Sequence, residues 1–428
     1  MTELSYQTGF GNTLESECLP NALPKGRNNP RRVPYDAYAE QISGTAFTAP
    51  RRENRRTWLY RKQPSVVIGD AETGPPVFFG GCSPQDCRPV ADALRWNPLP
   101  VTEDSTIDFV DGMKLMCASG DTSIKSGLAI YMYTCRASMT DRHLCNTDGE
   151  FLIVPQLGRL EVWTEMGRLQ IEPQQILVIP RGIVFQVHLL DEAARGYVLE
   201  VYSHRGFQLP ELGPIGSNGL ANTRDFEYPV AWCQQGDESA SSSCQILYKI
   251  QSQLFRKRSD HSPYNVIAWH GNYLPYRYDL RRFCAVNSVS YDHLDPSIYT
   301  VLTCPSEHPG TALADFVIFP PRLMATDENT LRPPWFHRNC MSEYMGLIVG
   351  QYDAKEGFAE GGASLHNCML PHGPDVVSYK AAVEDPCEGP SRLEGTMAFM
   401  FETCQVLKVA PQTEEWRDAE YTQCWKGL

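Results

Sequence analysis

Gln175-Ile176-Leu177-Val178-Ile179-Pro180-Arg181-Gly182-Ile183-Val184-Phe185 is the stretch on which the fold is read. A short β-prone run is stopped by Pro180, turned at Arg181-Gly182 and resumed at Ile183. The same grammar extends outward from about Thr106 to Val201. Leu128-Ala129-Ile130-Tyr131-Met132-Tyr133, Phe151-Leu152-Ile153-Val154, Leu160-Glu161-Val162-Trp163-Thr164 and Leu169-Gln170-Ile171 read as short strands. Gly158, Gly167, Pro173 and Gly182 punctuate them at the spacing of an antiparallel sandwich or barrel.

A second β-rich region begins after Ile267. Phe283-Cys284-Ala285-Val286, Ser297-Ile298-Tyr299-Thr300-Val301-Leu302 and Asp315-Phe316-Val317-Ile318-Phe319 read as strands, and the chain returns through Met397-Ala398-Phe399-Met400-Phe401 as another. The tail from Gln412 onward reads as a short helix. Residues 1–65 are rich in Pro, Asn, Arg and Gly, with little periodicity, and are expected to wrap over the body. Residues 66–100, with Pro75-Pro76 and Gly80-Gly81, read as an irregular insertion. Residues 203–235 form a loop-rich bridge with a turn at Gly216–Gly219. The expected fold class is mainly β, with two barrel-like halves. A division into residues 1–280 and 281–428 follows.

With 428 residues, 42% hydrophobic and 21% charged, the chain has the composition of an ordinary globular protein with ample length for large cores. A formal charge of −13 repels phosphate backbones, so no nucleic-acid partner is expected. No apolar run approaches the ~18 residues of a membrane span, and no secretory signal is visible at the start, so no membrane partner is expected. Fifteen cysteines occur without a Cys-x-x-Cys pair, which leaves zinc ribbons and thioredoxin-like motifs unsupported. The expectation is free thiols in a reducing cytoplasm.

The chemistry concentrates in residues 332–346, Arg332-Pro333-Pro334-Trp335-Phe336-His337-Arg338-Asn339-Cys340-Met341-Ser342-Glu343-Tyr344-Met345-Gly346. On a helix, six residues would turn His337 and Glu343 about 120° apart. In extended chain the even spacing puts them on one face, and the two prolines disfavour a helix. Then come Gly361-Gly362-Ala363-Ser364-Leu365-His366-Asn367 and Pro371-His372-Gly373-Pro374-Asp375. The natural reading is a strand or hairpin presenting His337 and Glu343, with His372 arriving from a later segment. Two imidazoles and one carboxylate leave open positions opposite, the arrangement of non-haem Fe(II) sites. Trp335, Phe336, Tyr344 and Tyr352 supply the aromatic surroundings a ring-shaped substrate needs.

At these residues the chain resembles the homogentisate 1,2-dioxygenase family. The likeness also runs through Thr8-Gly9-Phe10-Gly11-Asn12, through residues 38–51 (YAEQISGTAFTAPR) and 212–222 (LGPIGSNGLAN), and through Ala268-Trp269-His270-Gly271-Asn272-Tyr273 and Gly395-Thr396-Met397-Ala398-Phe399-Met400-Phe401-Glu402. Residues 175–185 are similar to the second cupin motif, Pro-x-Gly-x-x-His, with Phe185 standing where a cupin places its metal histidine. The expected fold is therefore a double jelly-roll, cupin-like (bicupin) protein with an irregular N-terminal wrapping segment, whose first barrel is structural. His188 is expected to pack or to sit at a rim.

The resemblance implies a mononuclear Fe(II) cofactor held by His337, Glu343 and His372. It implies homogentisate and O₂ as reactants, ring opening to 4-maleylacetoacetate in tyrosine and phenylalanine catabolism, and a cytoplasmic homo-hexamer built as a dimer of trimers. It assigns acid/base work to His293 and substrate binding to Tyr352 and His372; the neighbouring carboxylates Asp292 and Asp295 are the candidates, from position alone, for orienting His293. His366 is implied near the site, on a lid flanked by Gly361 and Gly362. Tyr291, where the family pattern has Phe, Leu294, and the stretch around residues 70–92 depart from that pattern and bear on the ring substituent accepted. The alternatives are a paralogue acting on a related hydroxylated phenylacetate, a non-catalytic double-β storage or binding protein, and a zinc hydrolase with the same ligand set.

Overall fold

Strands dominate, and the turn residues named above break them. The computed structural model describes residues 3–26, 30–211, 220–234, 243–286, 291–293, 299–324, 328–352 and 354–428. Among these, Gln175–Ile179 is central in a nine-stranded sheet, between Tyr276–Asp279 and Glu150–Leu157. Val184–Leu189 crosses to a six-stranded sheet, where it pairs with Leu160–Thr164 and Arg142–Asn146. Gly182 takes a positive φ of 85° at the crossing, the left-handed turn that a residue without Cβ adopts at little cost. Apolar residues of the two sheets face one another and form the first barrel.

The second half centres on another six-stranded sheet. Its order is Thr300–Pro305, Ala312–Phe319, Met397–Thr403, Ser342–Val349, Ala363–His366 and Leu94–Trp96. One face of this sheet joins the main core through Phe316, Tyr344, Phe399 and Phe401. Tyr197 of the first barrel meets Phe399 edge-on at 4.8 Å and donates to the Gly362 carbonyl at 2.7 Å. Gly346 permits this contact, since a Cβ there would lie 2.4 Å from the Phe399 ring. The fold is mainly β, a double-barrel, cupin-like architecture.

Several local expectations change. Residues 66–100 are not wholly irregular: Leu94–Trp96 pairs with Ala363–His366 as the outer strand of the second-half sheet, with Trp96 stacked on Tyr344 at 5.9 Å. Lys408–Val409 runs the other way, pairing with Met113–Asp121 of the first barrel. Residues 1–65 do wrap, yet Leu14–Glu17, Tyr38–Ser43 and Arg56–Arg61 build a four-stranded sheet with Val266–Gly271. Buried Arg61 anchors it by ion pairs to Glu40 and Glu165, each 2.9 Å. Phe283–Val286 is loop rather than strand, because the chain has just left the short turn Leu280–Arg282. The tail forms two 3₁₀ turns, Pro411–Trp416 and Tyr421–Trp425, instead of one helix. An unforeseen helix, Val376–Glu384, is capped by the Asp375 carboxylate. The Gly216–Gly219 turn and residues 297–298 of the expected strand lie outside the described residues, and that strand begins at Thr300. All fifteen cysteines are free thiols. No helix among the described residues is long and apolar enough to cross a membrane.

Candidate metal centre

Alternation along Ser342–Val349 sends Tyr344 and Ile348 to the main core. Met345 and Leu347 go the other way, into a small cluster with Val317, Phe319, Phe358, Ala398 and Met400. Glu343 shares their parity and so stands at the end of this inner face. Its neighbours in register are Glu402 on one side and His366 on the other. His337 and His372 come from two loops that meet in an isolated antiparallel bridge, exchanging backbone hydrogen bonds of 2.9 and 3.1 Å. Gly373 allows the loops this close: a Cβ there would lie 2.4 Å from the Phe336 ring.

Each histidine ring is held from behind. His337 Nδ1 donates to the Trp335 carbonyl at 2.9 Å, and His372 Nδ1 to the Leu370 carbonyl at 3.0 Å. A carbonyl only accepts, so both protons sit on Nδ1 and both Nε2 atoms face inward. They lie 3.6 and 2.9 Å from the Glu343 oxygens, and the three ligand atoms are all within 4.8 Å of one another. Two imidazole lone pairs and a carboxylate form a set of acceptors that a single cation satisfies. Without a cation, imidazoles protonated at Nε2 take its place: burial penalises the charge of Glu343, but their hydrogen bonds and charge overcome it and take its pKa down to about 2. Burial likewise pulls His337 down, and the Glu343 carboxylate with the Trp335 carbonyl turns the net shift upward. Asn339 Nδ2 bridges Glu343 at 3.1 Å and Glu402 at 2.5 Å, separating two buried carboxylates by a donor.

A narrow cavity over the three ligands is lined by Phe319, Pro334, Met345, Tyr352, Lys355 and Met400. A wider cleft of about 930 Å³ opens outside it, bounded by Trp335, Phe336, Asn339, Glu402, Trp425 and Leu428. Its size suits a small ligand.

His337, Glu343 and His372 thus converge, and Tyr352 joins them at the cavity wall, packed edge-on against Phe319 and Phe358. His293 stands further out and exposed. Its ring lies 6.0 Å from Trp335, which in turn lies 5.4 Å from His337. Asp292 accepts from its Nδ1 at 2.8 Å, whereas Leu294 and Asp295 lie outside the described residues. His366 is not on a lid. It is buried on Ala363–His366, paired with Glu343, and its ring stacks on His372 at 4.3 Å and 10°. The strand ladder that begins right after Gly361-Gly362 leaves that residue no freedom to swing. Asn339, Lys355, Glu402 and Tyr421 were not foreseen as site residues. Asn339 lies inside the His337–Glu343 stretch and was legible there, but Tyr421 carries no sequence signal that ties it to the site.

A β-barrel whose wall carries one carboxylate and whose loops bring two imidazoles to it defines a cupin-type protein with one candidate metal centre among the described residues. Residues 5–280 match the family described as Homogentisate 1,2-dioxygenase N-terminal, and residues 281–428 that described as Homogentisate 1,2-dioxygenase C-terminal. Proteins named homogentisate 1,2-dioxygenase from Arabidopsis thaliana and Drosophila melanogaster are each 50% identical to this chain. The alignments cover 100% of it and 93% and 98% of theirs. The chain belongs to the homogentisate 1,2-dioxygenase family and is a dioxygenase. A solved cupin 2 conserved barrel domain protein from Leptotrichia buccalis aligns over 72% of this chain and 96% of its own, at 8% identity and a TM-score of 0.30. At that score the match adds nothing to the fold, which rests on the strand order.

Proposed function

We propose that this protein is the Fe(II)-dependent enzyme that opens the ring of homogentisate with O₂ to give 4-maleylacetoacetate, in tyrosine and phenylalanine breakdown. His337, Glu343 and His372 are the ferrous ligands in this reading. The observation that carries it is the pair of Nδ1-anchored imidazoles aimed at one carboxylate, in a chain whose whole length matches this family.

Ferrous iron, when bound, supplies the electron transfer that lets ground-state O₂ react with an aromatic ring. The chain's own residues do the rest. The backbone carbonyls of Trp335 and Leu370 keep the ligand tautomers fixed. Glu343 contributes the negative charge, kept ionised by its two imidazole neighbours. Tyr352 offers a phenol at the cavity wall to grip the substrate beside His372. His293 takes the proton of the substrate hydroxyl at Nε2, because Asp292 occupies Nδ1. Phe319, Met345 and Met400 keep water away from the reacting ring. His366 supports His372 from behind and is not a gate.

The same reading takes the subunit as part of a cytoplasmic homo-hexamer, a dimer of trimers. Exposed Phe47 on the N-terminal arm and Tyr291 beside His293 support an assembly that covers them. Light scattering would read the mass of the assembly directly. The decisive assay is anaerobic reconstitution with Fe(II), then O₂ uptake on adding homogentisate. One O₂ consumed per homogentisate, with iron required, is the expected result. Activity supported by zinc without O₂ consumption would replace the oxygenase reading with hydrolysis.

A further inference from the structure

Beside the candidate metal centre, with Lys355 and His366 reaching the wall of its narrow cavity, lies a buried polar cluster to which the proposed reaction gives no chemical role. Lys355, His366 and Tyr421 are all almost fully buried and meet in a triangle. His366 Nε2 is 2.9 Å from Lys355 Nζ and 2.8 Å from Tyr421 Oη, and Lys355 also donates to Tyr421 Oη. Lys355 Nζ carries protons in either charge form and donates to the Tyr421 oxygen. The Tyr421 oxygen therefore accepts from Lys355 and passes its own proton toward His366. Nε2 of His366, with one in-plane lone pair, accepts from Tyr421 while Lys355 Nζ stands beside it at 2.9 Å, and the buried Nδ1 has no hydrogen-bond partner.

The cluster is tied to the ligands on both sides. The His366 ring lies flat against His372, 10° from parallel, while its backbone pairs with Glu343. Tyr421 is clamped in turn by the Arg95 guanidinium, 4.3 Å above its ring. Arg95 itself donates to the Glu356 carbonyl at 3.0 Å, next to Lys355. One turn on from Tyr421, Trp425 Nε1 donates to the Gly373 carbonyl at 3.4 Å, beside the ligand His372. The outer strand from residues 94–96 and the C-terminal turn thus converge on a single imidazole, and that imidazole braces a ligand.

We propose that Tyr421 and Lys355 are positioning residues of the metal centre, which hold the His366 ring flat against His372 and so keep the His372 Nε2 aimed at the ion. His372 is held in its plane at Nδ1 by Leu370 and, in the metal-free site, at Nε2 by Glu343, contacts that leave the face of the ring for His366 to support. The stacked His366 supports that face: its backbone is fixed by the strand, and its ring orientation is set by the contacts at Nε2. Partners of this kind typically change metal affinity by about 10–100-fold.

The inference rests on the reading of His337, Glu343 and His372 as metal ligands. The test is anaerobic ferrous titration against a competing chelator, on full-length parent protein, Tyr421→Phe, Lys355→Met and the double variant. The thermal midpoint of each metal-free protein is measured alongside. Tyr421→Phe keeps the ring under Arg95 and removes only the hydroxyl, so it isolates the hydrogen bond. We expect about 10-fold weaker ferrous binding for each single variant. For the double variant the loss exceeds either single one but falls short of their product, because both act through one ring. Unchanged ferrous affinity in Tyr421→Phe and Lys355→Met, whatever the thermal midpoint does, would reduce the cluster to packing and overturn the proposal. If Lys355→Met does not fold, Tyr421→Phe alone decides. A parent that takes up no ferrous ion fails differently: it removes the metal reading, and this inference with it.

Discussion

The two barrels share a strand architecture and have opposite interiors. In the first, Phe185 meets Phe109 and Phe151 edge-on, and Phe151 stacks on Phe79 at 5.7 Å. Over Phe79 lies the ammonium of Lys249, which is fully buried and bonded to Asp148 at 2.6 Å and Glu200 at 2.8 Å. Tyr131 and Asn146 donate to the remaining Glu200 positions. In the second barrel, the ion pairs of Glu343 are with two histidines whose other nitrogens are tied down. A buried carboxylate needs a counter-charge. The first barrel supplies its own as a lysine covalently part of the chain; the second keeps a set of acceptors, and that is where a metal ion fits.

The comparison breaks most visibly at Glu343. Glu343→Ala should leave a folded protein that retains little iron after desalting. The loss of O₂ uptake should be at least about a thousand-fold, since both charge and a ligand are gone. Iron content near one per subunit in that variant would mean the ion sits elsewhere. His293→Gln should lower kcat by about 100–10,000-fold, the range for losing a general base, with iron content unchanged. A fall in iron content there would make His293 a support of the metal rather than a proton acceptor. In the first barrel the expected effect is on stability. Lys249→Met strands two buried carboxylates and should cost about 3–5 kcal/mol in urea unfolding. The folded fraction should still bind iron one to one, and weakened iron binding would mean that the barrels are coupled.

Acid tests the second interior by another route. In chelator-treated protein the Glu343 carboxyl is held at about 2, against 4.5 for an ordinary glutamate. A depressed carboxyl contributes stability that is complete above the unfolded value and lost as pH falls through the folded one. Between pH 4.5 and about 2 the metal-free parent should therefore lose stability more steeply than Glu343→Gln, which has no proton to take up. Parallel curves would mean that the two imidazoles do not hold the carboxylate.

Much of this contrast was legible in the chain itself. Position 185 is defined by a turn only three residues away, at Gly182, and in the structure Phe185 packs against Phe109 and Phe151 as an apolar reading of that position expects. The even step from His337 to Glu343 rightly argued against a helix, yet the reason it works is different. Only Glu343 is on a regular strand, and His337 is brought in by a two-residue bridge to His372, a pairing between segments that no local pattern encodes. Gly361-Gly362 reads as a hinge, whereas the structure carries His366 on a strand paired with the Glu343 strand, a pairing that no local pattern encodes. Lys249, Asp148 and Glu200 are far apart in sequence and look like surface charges one by one. Their burial is a property of the closed barrel. The same holds for Tyr421, whose role depends on the tail folding back past residues 94–96.

The subtlest test asks whether an imidazole alone turns the first barrel into the second. Phe185→His restores the residue type that the cupin motif carries at this position. Physical reasoning says it stays silent. Around Phe185 stand the rings of Phe109 and Phe151, which offer no ligand atoms, and the barrel's buried carboxylates Asp148 and Glu200 are already spent on Lys249. The new side chain would bury nitrogens without partners, a cost of about 1–3 kcal/mol on top of the lost aromatic contact. The metal content should stay at one ion per subunit even under excess Fe(II). Two ions per subunit would mean that the lysine can be displaced and that the first barrel has kept a working ligand set beneath its aromatic filling. Combining Phe185→His with Lys249→Met sharpens the result. It frees two carboxylates that lie across the Phe151 and Phe79 rings from position 185, so uptake of a second ion by the double variant, but by neither single one, would identify the lysine ammonium as the group standing in for a metal.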